Sequence, residues 1–167
     1  MDKEMETPFK ALKRGLPWEL IADFRMKAYS NALKGFLYVI REEFGAETAL
    51  RLYDRLCTMD DRIKNLTKTI LKIFQIKGND AETWAQFWDI WIEICGFEAT
   101  WLERSKTKSR IKITKCPFQV GYKDISGWAL TWMNIVDETI NPKGILERPK
   151  EMCAGDAYCE YIYTIAD

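Results

Sequence analysis

Apolar residues in the first part of the chain recur every three or four positions. From Trp18 to Phe44 they fall on one face of a helix, which predicts a long amphipathic helix. Pro17 suits the first helical position, because that position needs no N–H donor. Gly45 suits a left-handed backbone position that ends the helix.

The same spacing predicts three further helices. They cover residues 46–57, 63–78 and 81–95. The stretch 58–61 separates the first two, because aspartate caps a new helical start. Asn79 or Asp80 caps the last helix, and Gly96 ends it.

After residue 96 the pattern changes to the period of a strand. Residues 97–104 and 109–115 predict two strands around a polar turn at 105–107. In the second strand Ile111 and Ile113 alternate with polar neighbours, so one face is apolar. Pro117 directly follows Cys116 and ends this strand, since proline cannot continue a central ladder.

The C-terminal part contains one more helix and one more hairpin. Residues 124–139 return to the helical pattern, and two strands over 144–149 and 157–165 flank a turn at 153–156. In the last strand Tyr158, Glu160, Ile162 and Thr164 share one face, while Cys159, Tyr161, Tyr163 and Ile165 share the other.

This order of elements predicts an α+β fold, with an N-terminal helical layer packed on a small antiparallel β-sheet. We expect a weakly ordered arm over residues 1–16 and a single domain over 17–167. Its helical part covers 17–96, and its hairpin–helix–hairpin part covers 97–167. We see no repeat and no linker long enough to divide it.

The amino-acid composition limits the classes of partner that the protein could bind. The 25 basic and 25 acidic side chains balance, which argues against nucleic acid and anionic membranes as partners. No apolar run reaches the length that crosses a membrane. An odd number of cysteines, five, without a secretion signal predicts reduced thiols in the cytoplasm.

The chain contains no histidine. This excludes Ser-His-Asp and Cys-His catalytic pairs and every zinc site that uses an imidazole ligand. Acid–base chemistry would fall to Asp, Glu, Tyr, Lys or Cys.

Three C-terminal cysteines, Cys116, Cys153 and Cys159, are the candidates for thiol chemistry. The C-x5-C spacing of the last two matches neither a zinc ribbon nor a ferredoxin, so we predict no metal and leave the cofactor open. A three-thiolate site with Cys116 folded beside the other two is the weaker alternative. Cys57 and Cys95 fall on apolar helix faces and are predicted to belong to the core.

Two tryptophan stripes are the candidates for ligand binding. Trp84, Trp88 and Trp91 are spaced i, i+4, i+7, and Trp128 and Trp132 are spaced i, i+4. If these helix faces meet, they form an aromatic box suited to a flat or hydrophobic ligand. The alternative is plain core packing.

Two acidic residues near the last hairpin could assist a thiol. Glu160 is a candidate base or polar anchor if it faces inward, and a surface charge if it faces outward. Asp156 follows Gly155 and is first of all a turn residue.

Short motifs in the C-terminal half resemble a known family. Residues 112–118 contain a CP pair after a strand, and residues 151–161 read EMCAGDAYCEY. This resembles the L-2-amino-thiazoline-4-carboxylic acid hydrolase-like family, with its closing GD-x-x-C-[DE]-[FY]. The closing pattern is also similar to the 4-vinyl reductase, or hydrocarbon-binding, domain. Residues 124–139 lack the further cysteine that family members commonly carry there.

The resemblance implies helices over a small antiparallel sheet and a small-molecule site near Cys116, Cys153 and Cys159. One hypothesis is thiol-dependent hydrolysis or lysis of a small C–N or C–S compound. Cys116 would then act as nucleophile or ligand, and Glu160 or Asp156 would be its partner.

The alternative hypothesis, favoured almost equally, is a non-catalytic sensor or carrier that binds a hydrophobic or aromatic small ligand between the tryptophans. A third hypothesis is a homodimer formed through the long N-terminal helix.

Overall fold

The structure is a computed structural model that describes residues 18–165. The predicted arm over residues 1–16, and Pro17, lie outside the described residues. Within them the chain forms four α-helices, a pair of strands, a fifth α-helix and a second pair of strands, and the four strands make one antiparallel sheet. This confirms the predicted α+β fold with its helices toward the N-terminus.

The helices are α1 (Trp18–Phe44), α2 (Ala46–Thr58), α3 (Arg62–Ile73), α4 (Ala81–Cys95) and α5 (Leu130–Ile140). The strands are β1 (Glu98–Arg104), β2 (Lys108–Lys115), β3 (Gly144–Lys150) and β4 (Cys159–Ile165). Short 3-10 helices cover Lys123–Ala129 and Met152–Ala154. The predicted bounds of α1, α2, α4 and the first hairpin are therefore confirmed to within one or two residues.

The end of α3 differs from the prediction. The helix ends at Ile73 rather than Gly78, because Gln75 takes a positive φ of 56°. The Ile76 N–H then donates to the Leu71 carbonyl at 2.9 Å, and the Gln75 N–H donates to the Lys72 carbonyl at 3.2 Å. This is a Schellman ending, with glutamine at the position where glycine is usual.

The predicted helix over 124–139 is also only partly right. Its first part is the 3-10 helix Lys123–Ala129, which contains a non-helical Ile125, and regular α-helix begins at Leu130. Gly127 lowers helical propensity within this segment. As a result Trp128 precedes α5, whereas Trp132 lies inside it.

The sheet has the strand order β1-β2-β4-β3. Ile111 lies opposite Tyr161 and Ile113 opposite Cys159, and these residues belong to or pack against the core beneath the helices. Glu160 lies opposite Lys112 on the other face. The alternation predicted for both strands is therefore confirmed.

Two adjoining clusters make up the core. One joins α4, α5 and the sheet, with Trp84, Ile111 and Val136 at its centre, and the other joins α1, α2 and the longer 3-10 helix around Leu37. Trp132 packs against both clusters. Cys57 and Cys95 are buried, as the sequence predicts.

Candidate functional site

A cavity of about 160 Å³ opens at the junction of the two core clusters. We call it the aromatic cavity, because most of the described residues that line it are aromatic. Its described lining comes from all five α-helices, the longer 3-10 helix, β4 and the connections that follow α4 and β2. The aliphatic and sulfur-containing part of its lining comprises Met26, Leu33, Leu66, Cys116, Ala129 and Met133.

Four of the five predicted tryptophans meet in the aromatic cavity. They are Trp88 and Trp91 from α4, Trp128 from the 3-10 helix and Trp132 from α5. The rings of Trp91 and Trp132 lie 4.8 Å apart, with 30° between their planes. The structure thus brings the two tryptophan stripes together.

The fifth, Trp84, does not line the cavity. Its indole is fully buried and stacks on Tyr163, with ring centroids 4.9 Å apart and 6° between the planes. Its Nε1 donates a hydrogen bond to Asp137 Oδ1 at 2.6 Å. Trp84 is therefore a core residue one turn away from the site.

Five further aromatic residues, none of them predicted to bind a ligand, line the cavity. They are Tyr29, Tyr53, Phe97, Phe118 and Tyr161. Each comes from a different element or connection, so no periodicity links them. Position in or next to a motif was the available signal for three of them. Phe97 follows Gly96, Phe118 follows the Cys116–Pro117 pair, and Tyr161 ends the 151–161 motif.

Trp88 carries an unusual polar atom. Its side chain is 2% exposed, and among the described residues its Nε1 is one of only two buried side-chain polar atoms without a hydrogen-bond partner. The indole lies against Tyr161 and Phe97, with ring centroids 5.8 Å and 6.4 Å away. A buried N–H without an acceptor costs free energy, so this atom calls for an explanation.

Cys116 is the one predicted thiol found among the described lining residues of the cavity. Burial raises the pKa of its thiol to about 12, although a backbone hydrogen bond from Phe118 opposes the shift. The thiol is therefore protonated at neutral pH, whereas the thiolate is the nucleophilic form.

Cys153 and Cys159 lie near Cys116 but are not among those lining residues. Their charges would raise the pKa of Cys116, which places the three thiols in one neighbourhood. Each accepts a backbone hydrogen bond, Cys153 from Val120 at 3.4 Å and Cys159 from Met152 at 3.2 Å. Burial raises the pKa of both thiols.

No metal centre emerges from the described residues. Within that part of the chain, no group of three or more Cys, Asp or Glu side chains is arranged to hold a metal ion. The alternative of a three-thiolate site therefore gains no support from the geometry.

The two predicted acidic partners lie away from the cavity. Glu160 points to the face of the sheet opposite the helices, where it is buried and forms an ion pair with Arg110. Asp156 Oδ2 accepts a hydrogen bond from the Glu151 N–H at 2.8 Å, as expected of a turn residue. The structure does not bring either carboxylate together with Cys116.

The described lining of the cavity contains no charged side chain. The polar groups that these residues carry are three tyrosine hydroxyls, the Cys116 thiol and four indole N–H groups. Such a lining can enclose uncharged ligands and donate hydrogen bonds, but it offers no counter-ion to a charged one.

No protein-family model matches the chain, and a search of curated proteins found no match either. The resemblance to the hydrolase-like family and the hydrocarbon-binding domain therefore stays a prediction from short motifs. Among residues 18–165, no helix combines the length and apolar character that crossing a bilayer requires.

Proposed function

We propose that the protein binds small, uncharged aromatic or hydrophobic molecules in the aromatic cavity, as a carrier or sensor without catalysis. The observation that carries this proposal is the convergence of four tryptophans from three elements on one partly open cavity. Aromatic side chains that only fill a core leave little space between them, because protein interiors pack like organic crystals. A cavity of about 160 Å³ is a departure from that rule.

The size of the cavity indicates the size of the ligand. A buried apolar cavity of about 150 Å³ holds one benzene molecule. The aromatic cavity is similar, at about 160 Å³, and it is partly open, so a substituted single ring fits it.

A thiol-dependent enzyme is the second candidate, because Cys116 lines the cavity. It receives less support. The pKa of about 12 keeps the thiol protonated, and no described lining residue can act as a carboxylate base. Turnover of a cyclic thio-amino acid by the wild type, lost in Cys116→Ser, would favour this candidate over the first.

Tryptophan fluorescence tests the binding proposal. We expect toluene and similar single-ring molecules to change the emission in a saturable manner, since four tryptophans border the cavity. Ala129→Leu adds bulk to the lining and should abolish saturation. Ala32→Leu adds the same bulk on the exposed face of α1 and should leave binding unchanged.

A linear, unsaturable response identical in all three proteins would count against a binding site.

Native mass spectrometry of freshly purified protein provides a second measurement. A bound molecule that disappears in Ala129→Leu would identify the natural ligand by its mass. The predicted cytoplasmic location is consistent with such a carrier, and it stays a prediction.

A further inference from the structure

The unpartnered indole N–H of Trp88 lies in a residue that lines the cavity. Buried side-chain donors in native proteins nearly always have an acceptor, and an unmade bond costs free energy. The neighbouring Trp84 satisfies this rule, because its Nε1 reaches Asp137 at 2.6 Å. Trp88, one turn later on the same helix face, finds no such acceptor among the described residues.

We infer that the natural ligand is a neutral single-ring molecule with a hydrogen-bond acceptor, such as a carbonyl oxygen or ring nitrogen, and that this atom accepts the Trp88 N–H. The inference rests on the proposed binding function and specifies its ligand class. The rings of Trp84, Phe97 and Tyr161 lie around the Trp88 indole. No acceptor of the described residues, the Tyr161 hydroxyl oxygen included, forms a hydrogen bond with its N–H.

The charge of the ligand follows from the lining. A carboxylate in the cavity would be a buried anion without a cationic partner, since no described lining residue is Lys or Arg. A quaternary ammonium would gain cation–π contacts from the rings, but it cannot accept a hydrogen bond. It would leave the Trp88 N–H unpartnered.

A matched ligand pair tests the inference. Acetophenone and cumene share one ring and a similar branched substituent, and only acetophenone has an acceptor. Their dissociation constants are measured in the wild type and in protein with 3-benzothienylalanine at position 88, which replaces the N–H by sulfur and keeps the ring shape. We expect the replacement to weaken acetophenone by about tenfold or more relative to cumene, as for a lost buried hydrogen bond.

Trp91→Phe and Trp88→Phe serve as further variants. Trp91 also lines the cavity, but its N–H is not among the unpartnered buried atoms of the described chain. Trp91→Phe should weaken both ligands alike, whereas Trp88→Phe should weaken acetophenone more. In ¹H–¹⁵N spectra of the wild type, acetophenone should move the Trp88 indole proton downfield, and cumene should not.

The outcomes separate the two proposals. If cumene binds and the replacement at position 88 weakens the binding of both ligands equally, the ligand does not accept a hydrogen bond from Trp88, while the binding function stands. If phenyltrimethylammonium or benzoate binds more tightly than acetophenone, the neutral class is wrong. If none of the four molecules binds to wild-type protein, the binding function fails and this inference fails with it.

Discussion

Trp84 Nε1 donates a hydrogen bond to Asp137 Oδ1 across the contact between α4 and α5, at 2.6 Å. Both side chains are buried, and Asp137 Oδ2 has no hydrogen-bond partner among the described residues. Burial raises the pKa of Asp137 to about 7, although the Trp84 bond and the charge of Arg148 lower it. A titratable carboxyl therefore lies in the core. Trp84 contacts both this carboxyl and Trp88, and the centroids of the Trp84 and Trp88 rings lie 5.6 Å apart.

Because of the raised pKa of Asp137, we expect the stability of the protein to depend on pH. The unfolded chain releases the Asp137 proton near pH 4, whereas the folded protein holds it until about pH 7. Folding is therefore opposed increasingly as the pH rises between these values, with a loss on the order of 4 kcal/mol in the free energy of unfolding. Chemical denaturation of the wild type and of Asp137→Asn at several pH values measures this loss in the free energy of unfolding.

The variant isolates this group from the surface carboxylates. The amide introduced by Asp137→Asn does not titrate, so the difference between the two proteins should grow with pH up to about 7 and then stay constant. A difference that does not vary between about pH 4 and pH 8 would contradict the raised pKa.

Cys116 should react slowly with alkylating reagents. Because burial raises its pKa to about 12, its thiolate fraction at pH 8 is far below that of a free cysteine. We expect iodoacetamide to label Cys116 at least about a hundredfold more slowly than a free thiol. Peptide mapping by mass spectrometry measures the rate. Labelling at the rate of free cysteine would instead favour the thiol enzyme.

Gly144 should not tolerate a side chain. A Cβ at this position would overlap the hydroxyl and ring of Tyr163, which is fully buried and stacked on Trp84. Gly144→Ala should destabilise the fold by about 3 kcal/mol or more. Gly35→Ala is the matched control, since a Cβ there meets nothing within 4 Å. It should be neutral or stabilising by up to ~1 kcal/mol, because alanine favours a helix. Equal stability of the two variants in thermal unfolding would contradict the packing around Tyr163.

The predicted homodimer can be tested on the outer face of α1. Phe24 and Val39 on this helix are 70% and 62% exposed, and Ala28, Ala32 and Gly35 between them are exposed as well. Pairing with a second copy would bury these apolar groups. Sedimentation of the wild type should then show a dimer, and Gly35→Arg should give a folded monomer. A wild type that remains monomeric at high concentration would exclude this interface.

Much of the fold follows from local sequence rules. Asp80 caps α4 by accepting the Thr83 N–H, and Gly96 ends that helix in the left-handed conformation. Both features require only neighbouring residues. The end of α3 could not be predicted in this way, since Gln75 holds a conformation that the sequence rules assign to glycine.

The sequence predicted part of the candidate site, but not which side chains line the cavity. Helical spacing placed Trp84, Trp88 and Trp91 on one face. Trp84 nevertheless lies in the core, where it stacks on Tyr163 and donates to Asp137. Alternation along β4 placed Glu160 on one face of the sheet and Cys159 and Tyr161 on the other. It could not tell which of these faces the helices would cover. Tyr29 and Tyr53 join the cavity through long-range packing, for which a single sequence carries no signal.

A crystal of the protein soaked with bromobenzene shows whether the aromatic cavity binds a single-ring ligand, because bromine can be located by its anomalous scattering. We expect one strong anomalous peak in the aromatic cavity, near Trp91, Trp132 and Cys116, and no such peak in crystals of Ala129→Leu. If the cavity of the wild-type crystal shows no peak at a bromobenzene concentration that saturates the solution, the protein does not bind single-ring molecules there.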